Sequence, residues 1–242
     1  GTVAMVGQFP WGPDAEIHES TSIGETKALF APPGMDRLST GYLSLLSTHP
    51  ASAERVATAY AVSLAFGIVV GIGMGTFASV EALFEPLIGF LRYIPAPALL
   101  PLFLLVLGIG ESPKIWLIVV GTAFYNVLMT ADVARAVPRE MLHASYTLGA
   151  SRFTILRRVI LPHAVPGIID VARINLAAAW SMLVVAEILG AQAGLAYQIT
   201  LSQRFRAVDV MFALLIVFGV IGLVSDVLLR QLRSLVAPWA RS

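Results

Sequence analysis

The chain has 242 residues, 57% hydrophobic and only 13% charged, with a formal net charge of +1 and a mean hydropathy of +0.80. An ordinary soluble domain carries about 25% charged residues, so this composition is that of an integral membrane protein. With no gathering of bases on one face it excludes a nucleic-acid partner, and the absence of cysteine excludes disulfides and thiolate metal sites.

Residues 1–50 are polar and broken by Pro10, Pro13, Pro32, Pro33, Gly34 and Pro50, with no apolar run that reads as a signal-peptide core or a span. They form an extramembrane segment. Within it Asp36 suits the cap of a short helix in which Leu38, Tyr42, Leu45 and Leu46 recur at helical spacing, which reads either as a helix lying in the membrane interface or as a solvated loop. The chain starts at Gly1 and not at Met, which points to processing or to a further N-terminal piece.

Residues 51–235 read as one transmembrane domain, an all-α helix bundle with five spans of about 20 residues each. The first runs from about Val56 to Val80 and carries Gly67, Gly71 and Gly75 at four-residue intervals, a face that admits a neighbouring backbone. In the second, about Leu87 to Leu107, Pro95, Pro97 and Pro101 remove backbone donors, so that this stretch should face protein or water and not lipid. Arg92 and the prolines there are candidates for lining a pathway, against the alternatives of packing kinks and a snorkelling arginine. The loop Gly110 to Lys114 leads into a third span, about Ile115 to Thr130. A fourth covers about Ile174 to Leu189, with Trp180 and Glu187 as pathway or gate candidates; the alternative for Glu187 is an outer helix end reaching the interface. After a polar loop, Gln192 to Asp209, a fifth runs from about Val210 to Leu229.

Cytoplasmic loops are enriched in Lys and Arg. Residues 131–173 hold Arg135, Arg139, Arg152, Arg157, Arg158 and Arg173 against Asp132, Glu140 and Asp170, and Arg230, Arg233 and Arg241 follow the last span. Both regions, with a tail at 236–242, belong inside. Residues 1–55 then fall outside, where Asp14, Glu16, Glu19, Glu25, Asp36 and Glu54 outnumber Lys27, Arg37 and Arg55.

The stretch from Pro138 to Pro166 is a charged interruption between two apolar spans. Pro138 suits a helix start, Gly149 a left-handed helix end, and Ser151 the cap of a second short helix whose Phe153, Leu156 and Ile160 share a face before Pro162 stops it. Such a unit exposes an apolar knob, Leu142 to Leu148, ringed by Arg. A groove in a partner protein rewards that arrangement and water does not; an interfacial helix pair on lipid headgroups is the alternative.

These residues resemble the signature of the membrane subunits of bacterial ATP-binding-cassette importers: Glu-Ala-Ala, three residues, Gly, nine residues, Ile, one residue, Leu-Pro. His143, Ala144 and Ser145 stand at the first three positions, and Gly149, Val159 and Leu161-Pro162 follow at matching spacing. Leu91 to Ile115, Thr147 to Ile168, Trp180 to Glu187 and Gly194 to Ile199 look like the subgroup importing nitrate, bicarbonate, cyanate, taurine and other organosulfonates. The resemblance covers roughly residues 40 to 235 and implies a type I importer permease in the bacterial inner membrane. It implies a homodimer coupled to two cytoplasmic ATP-binding subunits, which would supply ATP and Mg, with no cofactor on this chain. A periplasmic or lipid-anchored binding protein would deliver substrate. His143, Ala144, Ser145, Leu148, Gly149, Ala150, Ser151 and Pro162 would form the ATPase-coupling element.

Two departures stand out: His143 replaces the usual glutamate and Ser145 the second alanine, and the resemblance implies a sixth, N-terminal spanning helix that residues 1–28 cannot supply. A P-loop needs lysine directly after glycine, yet Lys27 follows Thr26 and Lys114 follows Pro113, so the chain is read as a transport subunit without an ATPase site. The other classes are a membrane-embedded enzyme, disfavoured because His18, His49, His143 and His163 all lie in loops, and an ion-coupled secondary transporter, disfavoured because no internal repeat shows clearly.

Overall fold

The structure, a computed structural model, describes residues 3–5, 18–20, 49–191 and 193–240. The interfacial helix expected after Asp36 lies outside the described residues. Ahead of the helices, β1 (Val3–Met5) and β2 (His18–Ser20) pair antiparallel, with Val3 opposite Ser20. Everything else that is regular is helical: α1 (His49–Thr76), α2 (Ala78–Leu91), α3 (Leu100–Leu107) preceded by a 3-10 turn Ala96–Leu99, α4 (Ser112–Arg135), α5 (Arg139–Thr147), α6 (Arg152–Gly190), α7 (Leu195–Arg204) and α8 (Val208–Val236).

Four of these, α1, α4, α6 and α8, are long and apolar enough to cross a membrane. The expected second span is a broken pair: α2 and the segment Ala96–Leu107 meet at a bend of 81°. The break follows from the sequence, because Pro95, Pro97 and Pro101 supply no amide hydrogens and the chain at 92–95 leaves the regular helix around them. The fourth span also differs from expectation. It begins at Arg152 and not near Ile174, since Pro162 does not stop the helix: residues Leu156–Ile160 widen into a π turn, and Leu161 N–H donates to Leu156 O, five residues back. Widening the turn there moves a carbonyl that the proline ring would otherwise strike.

The glycines of α1 set the core. A Cβ at Gly67 would lie 2.5 Å from Asn126 Cβ, at Gly71 2.6 Å from Val127 O, and at Gly75 2.6 Å from Ala131 O and from Ala134 Cβ. The rising pairs show that α1 and α4 run parallel with their backbones almost touching, the packing that small residues permit within a bilayer. Helix α6 runs antiparallel to α4, with Gly121 against Met182, Asn126 against Asn175 and Gly167 against Val133. Helix α8 runs antiparallel to α6, with Phe218 edge-on to Trp180 at 5.7 Å and Arg173 on Asp226. Several buried polar side chains pair between α1, α4 and α6: Tyr60 donates to Ala172 O at 2.7 Å, Asn175 to Asn126 Oδ1 at 2.8 Å, and Asn126 to Ser63 Oγ at 2.9 Å. In hydrocarbon such groups have no water to fall back on, so the chain of bonds fixes the rotation of three helices at once.

Candidate functional site

Three polar assemblies interrupt the apolar surface, two of them at opposite ends of α6. At one end α5 rises from Pro138 and closes on itself. Leu148 N–H donates to Ala144 O, Gly149 N–H to Tyr146 O and Ala150 N–H to Ser145 O, with Gly149 at φ +78°, where a side chain is strained. Ser151 then caps the start of α6, its Oγ accepting from Thr154 N–H. The underside is apolar: Leu142, Ala150, Leu156 and Val159 pack around buried Ala134, Val137, Ile155 and Ile160. The upper side is exposed and carries His143, Tyr146, Leu148 (87% exposed), Gly149 and Phe153 (69%). This corrects the expected face of the second helix, for Phe153 points away from Ile160 and joins Leu148 on the outside. Ala144 is exposed, Ser145 half-buried with its hydroxyl on Met141 O, and Pro162 sits exposed inside the continuous helix and not at a terminus. Further along α6, Arg173 bonds Asp226 through both Nε and Nη2, and Arg233 pairs with Asp170, joining α6 to α8.

The second assembly is the break between α2 and α3. Arg92, Pro95 and Pro97 border a cavity of about 210 Å³ with Gly121, Tyr125 and Met182. Trp180, another pathway or gate candidate, lies in the core with Tyr60, Val119 and Leu183.

The third assembly, at the far end of α6, centres on Glu187, which is fully buried. It does not reach outward to an interface. Its carboxylate accepts from Ser52 Oγ (2.7 Å), from Arg55 Nη1 (2.8 Å) and from the backbone N–H of Ala196 (2.9 Å) in the first turn of α7. Ser52 Oγ in turn accepts from Leu195 N–H. Arg55 also donates to Ala193 O and to both oxygens of Glu111, which accepts from Lys114 as well. Gly194 turns at φ +138° directly under the carboxylate; a Cβ there would lie 2.3 Å from Glu187 Cδ. The Arg55 guanidinium, and next to it the Lys114 ammonium, hold the Glu111 carboxyl down at about 2 from an ordinary 4.5, so it stays ionised. A cavity of about 340 Å³ opens beside Arg55, Glu54 and Glu111.

Sequence reasoning singled out Glu187 but missed Ser52, Arg55, Glu111 and Lys114, and read α7 as polar loop. The available signal was positional: bases at the starts of two apolar spans and acids at the ends of others. The helix itself depends on Glu187, nine residues before Ala196, and on Ser52, far away in sequence, to accept its first amides. Among the described residues no group of three or more His, Asp or Glu side chains is placed to hold a metal ion.

The family described as "binding-protein-dependent transport system inner membrane component" matches residues 63–238. A probable ABC transporter permease protein of Brucella melitensis is 36% identical over 189 residues, 78% of this chain and 77% of that protein. The taurine transport system permease protein of Escherichia coli is 38% identical over 190 residues, 78% of this chain and 69% of its own length. Among solved structures, an inward-facing MetNI methionine ABC transporter superposes with a TM-score of 0.68 over 82% of this chain and 99% of that one, at 24% identity, a likeness of fold.

Proposed function

The chain belongs to the family of inner-membrane permease components of binding-protein-dependent, ATP-driven importers, and from that membership we propose how its three polar assemblies divide the work. The α5–Gly149–α6 unit is the docking element for a cytoplasmic ATPase subunit. The observation that carries this reading is its two-sidedness: a buried apolar base fixed on the end of α4, and an exposed crown of Tyr146, Leu148 and Phe153 around a helix turn that water does not reward. Arg139, Arg152, Arg157 and Arg158 flank it, which supports a cytoplasmic position for this end. His143, exposed where the family signature has glutamate, offers the partner an imidazole that can donate or accept.

Two copies of the chain form the translocation unit, each docked to one ATP-binding subunit that brings ATP and Mg. A binding protein delivers a small solute bearing an oxyanion group, such as the sulfonate of the relative's taurine, to the Glu187 end. Closure of the ATPase pair moves the docking elements. Because α6 begins just after Ser151 and ends at the Glu187 cluster, the motion passes along one continuous helix to the opposite surface, and alternating access follows.

Gly149→Trp tests the docking role. Among the described residues nothing lies within 4 Å of a Cβ at Gly149, so a bulky side chain there starts from open space on the exposed face. The left-handed backbone costs about 1–2 kcal/mol. The permease should assemble in the membrane while its ATPase subunit no longer co-purifies; a variant that retains the ATPase in full would remove this role from Gly149.

A further inference from the structure

Arg92 is a cation at membrane depth whose counter-charge is missing. It ends α2 where the chain bends by 81°, level with Gly121 and Tyr125 of α4. Those residues lie about 14–20 Å along α4 from its start at Ser112, counting about 1.5 Å per residue, well inside a hydrocarbon layer of about 30 Å. Snorkelling operates near helix ends at the interface, and this residue is not there.

The bases that the structure pairs in and beside the spans show how the chain treats charge there. Arg55 and Lys114 hold Glu111, Arg135 holds Glu81 and Asp132, and Arg173, Arg230 and Arg233 share Asp170 and Asp226. Among the described residues no carboxylate stands within ion-pair distance of Arg92. Its guanidinium donates to the Tyr93 hydroxyl at 3.0 Å and lies 4.9 Å from that ring's centroid, contacts that orient a cation without neutralising it. Beside it lies the cavity of about 210 Å³, bordered also by Gly121, Tyr125 and Met182. Intramembrane charges are kept where they meet a partner or a water-filled path.

We propose that Arg92, at the break between α2 and α3, is an anion subsite of the translocation pathway, engaging a small oxyanion such as a sulfonate or nitrate. The planar fork of a guanidinium presents two parallel N–H groups to two oxygens of such a group. Arg92 is exposed, which keeps the contact weak enough to release cargo. This rests on the permease reading above and names the charge class of the solute it passes.

The chain's lack of cysteine permits a test that separates charge from folding. Arg92→Cys is placed in the complete complex, whose other subunits are freed of reactive cysteine, and reconstituted in vesicles. It is then treated with cationic, neutral or anionic methanethiosulfonates, and uptake of nitrate, taurine and methanesulfonate is measured with ATP hydrolysis. Uptake should fall at least tenfold while basal hydrolysis persists. The cationic adduct should restore most of it, the others should not, and nitrate or methanesulfonate should slow the modification. Unchanged uptake, rescue regardless of adduct charge, or modification indifferent to anions would overturn the subsite. Arg92→Lys and Arg92→Gln ask the same question without chemical modification: Lys should support uptake and Gln should not, and equal uptake by the two would overturn the subsite. Failure of the permease reading itself looks different: the wild-type complex would show no ATP-dependent uptake at all.

Discussion

Glu187 is a full carboxylate with no exposed surface, tolerable because an arginine, a hydroxyl and a helix amide all converge on it. Removing one partner of such a buried pair typically costs about 3–5 kcal/mol. Glu187→Gln should sit near the low end, about 3 kcal/mol, since Arg55 keeps Glu111; thermal unfolding of the purified permease measures it, and an unchanged midpoint would show the contacts to be dispensable. Glu111 answers to pH with a definite sign. Its folded value of about 2 lies below the ordinary 4.5, so the stabilisation it lends is complete above pH 4.5 and drains away as pH falls toward 2. Unfolding followed from pH 6 downward should weaken through that window, and Glu111→Gln should flatten the slope; because this side chain is half exposed the effect is modest. An acid near the end of a span was legible as unusual from the sequence. Its partners were not, because Ser52 and Arg55 reach it from another helix and the amides of α7 exist only once α7 has formed.

At the scale of elements, the glycine ladder was the most readable feature: spacing of four predicts a close helix contact, and α4 supplies it. Gly71→Leu should drive a side chain into Val127 O and Thr130 and abolish stable expression, whereas Gly219→Ala on α8, with nothing within 4 Å, should be neutral or mildly stabilising, by up to about 1 kcal/mol of helix propensity. Comparable loss in both would deny the α1–α4 contact its role. Pro162 shows the limit of local reading. Proline ordinarily ends a helix, but a π turn at Leu156–Ile160 absorbs it, and nothing in the local pattern distinguishes a stop from a widened turn. The Gly149 turn, by contrast, was legible to the residue, since the left-handed position and the serine cap after it are both local chemistry. The break at Pro95 and Pro97 was legible as a disturbance of the second span but not as a bend of 81°, which depends on packing against Gly121 and Met182.

At the scale of the whole molecule, α8 presents Phe212, Ile216, Val220, Leu223 and Leu228 outward, with only 6% of its most apolar window buried, a surface suited to lipid or to another apolar helix. The bundle's two ends differ in kind: one carries the exposed docking crown, the other a buried ion cluster holding α1, α4, α6 and α7 together. Helices α4 and α6 both run between them, α6 as about 58 Å of continuous helix at about 1.5 Å per residue. In the mechanism we propose, ATPase motion at the first end is carried along α6 and becomes passage of a solute toward that end. Accumulation of labelled taurine and nitrate in vesicles containing the permease, its ATPase and its binding protein measures this conversion directly. Accumulation should require ATP and all three components and should disappear in Gly149→Trp. Accumulation driven by an ion gradient with the ATPase left out would contradict an ATP-coupled permease.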